Sequence, residues 1–345
     1  MIDSRPPLAD ELFMDNRIVA RVLSRYPGSH PIIPYLRKPL PQESIEALLE
    51  KLQAEGDSDP ERKRQITAVR YYLQDVTHSF QNEWIAQMER LGGESNYVTL
   101  LDQLRRVRQA SKDLEPVLLV TFNYDQMLER ALASVDIVIK SLGDYVNSDS
   151  FKLFKLHGSV GWVREVEIEG DPRRDKVSDR DNLAVAGYII LQSDALKFTN
   201  HFHIGYSPPP GIAPGRYLFP AIAIPVEKKS DFECPPALID QLTQHLGQVT
   251  SILVVGWKAS EQHFIKMMKE HIKSKVSICI VNGKKKEGED VYDHLRSAGL
   301  PLHDRSVPEI YGGVDENRVC ILNHGFTEFV QSRKAESVLY PQSQR

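Results

Sequence analysis

Apolar positions recur along the first third of the chain at a helical period of about 3.6 residues. Leu8, Leu12, Ile18, Val19, Val22 and Leu23 mark one amphipathic segment over 8–23. Ile45, Leu48, Leu49 and Leu52 mark a second over 42–55. Pro27, Pro31, Pro34, Pro39 and Pro41 make the stretch between them a proline-rich connection. Gly56-Asp57-Ser58-Asp59-Pro60 ends the second segment. Pro60 suits the first turn of another helix, where its missing N–H costs nothing. Two further helices are expected over 60–91 and 95–110.

The period changes after Pro116. Val117-Leu118-Leu119-Val120-Thr121 is a short apolar run, as in a strand buried on both faces, and a helix over 124–132 should follow. Ser251 to Gly256 forms a second such run, followed by a helical segment over 261–271. Val276 to Val281 forms a third, followed by Gly283 and a helix over 290–298. Strands alternating with helices imply parallel pairing and an α/β fold. Between the first two units, 151–156 and 160–168 read as strands around Gly158, and 188–191 as a shorter strand. A strand over 221–224 is cut by Pro225, and 207–211 reads as a loop.

Composition narrows the class. Of 345 residues, 41% are hydrophobic and 26% charged, enough apolar matter for a sizeable core. No run approaches the roughly 20 apolar residues of a membrane helix, so no membrane partner is expected. Residues 1–7 carry neither a basic nor an apolar leader pattern. Cys234, Cys279 and Cys320 are too few and too scattered for a disulfide framework or a four-cysteine zinc site. A reducing, cytoplasmic compartment is therefore expected. The net charge of −4 gives no global basic field for nucleic acid.

Ligands of open parallel sheets bind beyond the carboxyl ends of the strands. Polar residues directly after the apolar runs therefore carry the most weight. They are Thr121, Asn123 and Asp125 after the first run, and His157-Gly158-Ser159 after the 151–156 strand. Gly256-Trp257-Lys258-Ala259-Ser260 and Asn282-Gly283 follow the later runs. Each has a plainer use. Asn123 and Asp125 are suited to capping a helix, and His157 to a structural hydrogen bond. Lys284-Lys285-Lys286 reads as a solvated turn. His201 and His203 would share a face of a strand and could bind a metal, but no third ligand is evident. Ser159 beside His157 lacks a Gly-x-Ser-x-Gly setting.

Taken in order, these segments resemble the sirtuin-like family over about residues 115–330. Thr121-x-Asn123-x-Asp125 is similar to its Thr-x-Asn-x-Asp segment. Lys155-Leu156-His157-Gly158-Ser159 is similar to its histidine-glycine segment. Pro220 to Pro225 with Lys228 resembles its proline-rich strand, and Val254-Val255-Gly256-Trp257-x-x-Ser260 its second nucleotide loop. Asn282 resembles its ribose-contacting asparagine, and Gly325-Phe326 its closing segment. The nearest branch is that of prokaryotic enzymes that hydrolyse NAD, many of them in antiphage defence.

The resemblance implies a Rossmann-like parallel sheet with helices on both faces, plus an N-terminal helical subdomain. It divides the chain into 1–115 (helical), 116–330 (sirtuin-like) and a tail over 331–345. It implies NAD as substrate and no zinc. The helical block before residue 115 is large for a nucleotide fold and leaves three expectations open: a cap over the site, a homo-oligomer contact or a regulatory protein partner. Asn123, His157 and Asp125 would be catalytic. Thr121, Gly158, Gly256, Ser260 and Asn282 would bind NAD. Two departures stand out. The zinc ribbon of the deacylase branch is absent, which disfavours a protein deacylase. Pro7 to Phe13 resembles a family segment that follows a first strand and Gly-Ala-Gly phosphate loop, so that strand and loop are expected to be missing. The alternative is a catalytically impaired sirtuin-like module that senses nucleotides or acts through protein interactions.

Overall fold

The computed structural model describes residues 11–37, 44–110, 114–171, 183–205, 215–226, 232–305 and 318–335. Residues 7–10 of the N-terminal segment, the 207–211 loop, Lys228 and the tail beyond 335 lie outside the described residues. Helices α1 (Arg17–Leu23), α2 (Ile33–Arg37), α3 (Ile45–Glu55), α4 (Pro60–Leu91) and α5 (Asn96–Ala110) come first. Then follow β1 (Val117–Thr121), α6 (Met127–Ala133), β2 (Phe151–Lys155), β3 (Gly158–Ile168) and α7 (Leu183–Leu191). The chain continues through β4 (Leu196–Ile204), β5 (Arg216–Ile222), α8 (Pro236–Leu246), β6 (Ser251–Val255) and α9 (Gln262–His271). It closes with β7 (Ser277–Val281), α10 (Lys285–Ser297), β8 (Val319–Leu322) and α11 (Gly325–Gln331). Among the described residues no helix is long and apolar enough to cross a membrane.

Local chemistry accounts for the helix ends. Asn16 and Ser44 accept from the N–H groups of Val19 and Ala47, each at 2.9 Å, and so open α1 and α3. The expected 8–23 helix is therefore shorter where it is described, because Asn16 caps it from inside the apolar pattern. Asp59 caps α4 with Pro60 in its first turn, and Gly92 closes it at φ 62°. The 188–191 strand is corrected to part of α7. Leu183 to Leu191 is apolar throughout, and such a run does not distinguish strand from buried helix by period.

The strands form three small sheets. β1 and β2 pair in parallel, and so do β6, β7 and β8, in that order. β3 lies between β4 and β5 in an antiparallel sheet. The fold is thus mixed α/β, with its parallel strands divided between two ladders. Pro220 is accommodated because β5 is an edge strand.

Two apolar clusters hold these layers. One buries α1–α4 and α7 against one side of the antiparallel sheet, through Leu49, Tyr71, Tyr72, Val160, Val166 and Phe219. The other buries the parallel sheets against α5, α6, α8–α11 and Trp162. β3 therefore serves both clusters and is buried along most of its length. Gln74 of α4 reaches β3 directly, donating to the carbonyls of Val160 (3.0 Å) and Trp162 (2.7 Å).

Candidate functional site

The carboxyl ends of β1 and β2 are level, with Thr121 opposite Lys155. The loop leaving β1 is clamped from several sides. Thr121 Oγ1 accepts from the Asn123 N–H at 3.1 Å. The Tyr124 carbonyl accepts from Val160 at 2.9 Å, and Gln81 of α4 accepts from the Gln126 N–H at 2.6 Å. Asp125 Oδ1 accepts from the Met127 N–H at 2.9 Å and opens α6. Asp125 is thus committed to holding the loop, one of the uses open to it from sequence.

Beneath this loop lies a buried ionic chain. Lys155 is fully buried, with 0% of its side chain exposed. Its ammonium pairs with Glu129 of α6 at 3.1 Å and donates to the Asp125 carbonyl. The Tyr145 hydroxyl donates to Glu129 at 2.9 Å, and Trp162 Nε1 donates to Tyr145 at 3.0 Å. Burial, and then the Glu129 carboxylate, hold the Tyr145 phenol well above its ordinary pKa, so it stays a donor.

His157 occupies the turn between β2 and β3 and is 5% exposed. Its ring lies 4.9 Å from that of Phe122 and 6.4 Å from that of Tyr124. Asn123, between those two residues, is exposed and bonds through its side chain to the Tyr97 hydroxyl of α5. Burial first, then the Asp125 carboxylate, push the Tyr97 phenol up to about 12. Gly158 has φ 82°, and a Cβ there would sit 2.1 Å from the Ala221 carbonyl oxygen of β5. Close strand approach therefore explains this glycine.

The β6 end is brought to the same place by aromatic rings. Phe122 stacks on Trp257 at 5.6 Å and meets Phe264 edge-on at 5.6 Å. Gly256 has φ 62°, and nothing lies within 4 Å of where its Cβ would be. Its backbone is thus open to a ligand, with the exposed Lys258 nearby in the loop. Ser260, however, donates to Glu261 at 3.0 Å, and Trp257 Nε1 donates to the same carboxylate. Glu261 stands immediately before α9, where a helix favours an anion, so the protein supplies its own negative charge there.

Asn282 follows β7. With its side chain oriented to satisfy both ends, its nitrogen donates to the Val281 carbonyl (3.1 Å) and its oxygen accepts from Gly288 of α10 (3.3 Å). These contacts tie the turn after β7 to the first turns of α10. Thr121, Asn123, Asp125, His157 and Gly158 thus gather at the β1–β2 end. Phe122 and Trp257 join them to Gly256 and Ser260, and Asn282 stands beyond the next strand.

Elsewhere, His201 and His203 do share a face, but Glu165 lies 2.7 Å from His203 and 4.0 Å from His201, with Arg216 beside it. Among the described residues no group of three or more His, Cys, Asp or Glu is placed to hold a metal ion. A groove lined by Leu142, Asn147, His201, His203, Pro235 and Gln241 lies apart from the strand ends.

Sequence reading overlooked Lys155 as a structural charge, Glu129 as its partner, the aromatic bridge and Glu261. The available signal was a lysine at the end of an otherwise apolar strand followed by a histidine. Replacing Lys155 with Met should cost on the order of 3–5 kcal/mol, because Glu129 is left buried without its cation. In denaturant titrations, Lys155→Met with Glu129→Gln should be more stable than Lys155→Met alone. A Lys155→Met protein as stable as the parent would refute the ionic chain as a structural element.

No protein-family model matches the chain, and no curated protein matches it.

Proposed function

We propose that the protein is a sirtuin-like NAD glycohydrolase, cleaving NAD to ADP-ribose and nicotinamide, with NAD depletion as an antiphage defence. The observation that carries this reading is the meeting of the 121–125 loop, His157 and the Gly256–Ser260 loop at the carboxyl ends of parallel strands. This is where an α/β sheet binds nucleotides. In this reading His157 acts as general base toward water or a ribose hydroxyl, a task suited to an imidazole near neutral pH. Asn123 positions that group, and Asp125 holds the loop. Glycosidic bonds of this kind break through an oxocarbenium-like transition state, and the base activates the hydroxyl or water that captures it.

The expectation of a single Rossmann-like sheet belongs to the same proposal. β1 and β6 each have a strand partner on one side only, among the described residues. Val117–Val120 of β1 and Ile252, Leu253 and Val255 of β6 are partly buried against one common cluster. Their carboxyl ends meet through the Phe122–Trp257 stack.

Nicotinamide release from NAD by the purified protein tests the activity. His157→Ala should slow it by ~10²–10⁴-fold, the usual worth of a general base, while ADP-ribose binding persists. Equal rates for His157→Ala and the parent would refute the assignment.

A second reading, a catalytically impaired sirtuin-like module that senses nucleotides weakly or acts through protein partners, is favoured by Glu261. Its carboxylate stands where a phosphate would otherwise meet the α9 N-terminus. Glu261→Gln should tighten ADP-ribose binding several-fold by calorimetry. Unchanged affinity would remove the Gly256–Ser260 loop from the phosphate site.

A further inference from the structure

β7 and β8 pair in register with Cys279 directly opposite Cys320. Registered residues on parallel strands point to the same face, and such strands lie about 4.8 Å apart. That spacing falls inside the roughly 4.4–6.8 Å range of Cα separations spanned by disulfides. The alternate positions Ile280 and Ile321 face α10, where a Cβ on Gly288 would meet both of them. The two cysteines therefore share the opposite face of the sheet. Both are reduced, and their thiols are hydrogen-bonded to one another. Cys279 is 1% exposed, whereas Cys320 is half-buried and within reach of solvent.

The two sulfurs are unequal. The Cys279 S–H donates to Cys320 and, with the Lys334 ammonium nearby, draws the Cys320 thiol below its ordinary pKa. The same hydrogen bond and burial push Cys279 upward. Cys234 stands alone, buried, with its thiol pushed up first by burial and then by the Glu233 carboxylate. A more acidic, accessible thiol beside a buried one is the arrangement of an attacking and a resolving cysteine.

We propose that Cys279 and Cys320 form a redox-active dithiol that hydroperoxides oxidise to a disulfide, with Cys320 attacking and Cys279 resolving. The Cys320 sulfur attacks one peroxide oxygen. An S–O bond forms, the O–O bond breaks, and the departing oxygen takes up the Cys320 proton (as water when the oxidant is hydrogen peroxide). The Cys279 sulfur then attacks the Cys320 sulfur. The S–S bond forms, the S–O bond breaks, and hydroxide leaves with the Cys279 proton as a second water. Each sulfur gives up one electron, and the peroxide accepts both. Bridging adjacent strands of a packed sheet constrains the bond geometry, so a thiol reductant should reverse the step.

The test uses the reduced full-length protein and hydrogen peroxide, followed by maleimide alkylation in denaturant, proteolysis and mass spectrometry. The number of alkylated thiols should fall from three to one, leaving Cys234 modified and one peptide pair linked through Cys279 and Cys320. Dithiothreitol should restore all three. In Cys279→Ser, Cys320 should instead accumulate a sulfenic acid trapped by dimedone, with circular dichroism verifying the fold. The proposal is overturned if Cys279 and Cys320 remain alkylated as fully as Cys234. It is equally overturned if Cys320 oxidises without a link to Cys279, or links two chains together. The parent-protein measurement decides without requiring that any variant fold.

Discussion

A fully buried lysine is the constraint on which the strand-end region depends. An ammonium removed from water must find an anion and further acceptors, or it destabilises the fold by several kcal/mol. Lys155 finds the Glu129 carboxylate on α6 and the Asp125 carbonyl in the loop after β1. Glu129 in turn accepts from Tyr145, which accepts from Trp162 on β3. One charge thereby ties two parallel strands, a helix and the antiparallel sheet. The loop that carries Asn123 and the turn that carries His157 are thus set on a common foundation.

The elements with strong periodicity were legible in the sequence. α4 and α5 and the strands β1, β2, β6 and β7 fall close to their expected positions, because capping residues and short apolar runs mark their limits. β4, β8 and α8 were not read. β4 is exposed at four of its nine positions and buried at one, β8 is four residues long, and α8 has no side-chain cap. α7 was read as a strand because an apolar run carries no period. Placement of the candidate site after the strands was equally legible. The rest was not, because it depends on which distant side chains meet. Nothing local pairs Lys155 with Glu129, stacks Phe122 on Trp257, or brings Asn123 to Tyr97.

The structure also divides the candidate residues by how much other work they do. Asp125 holds the start of α6, Asn282 is tied to Val281 and Gly288, and Gly158 is required by the approach of Ala221. The proposed chemistry is assigned to His157, Asn123 and the open backbone at Gly256 by their place at the strand ends. Glu261 sets the main tension, because a carboxylate at a helix N-terminus is stabilising for the protein and unfavourable for a phosphate. Under the proposed function, the charges of Lys258 and Glu261 in the β6 loop act in opposite senses on a phosphate.

The most direct measurement is a titration with ADP-ribose followed by NMR of the tryptophan indole and histidine imidazole signals. Trp257 and His157 belong to the same aromatic group at the strand ends, whereas Trp162 lies in the core and Trp84 on α4. A nucleotide site there predicts that the Trp257 indole and His157 imidazole resonances move together along one saturable curve, with Trp84 and Trp162 stationary. Saturable binding that moves neither Trp257 nor His157, or no binding at all, would contradict it.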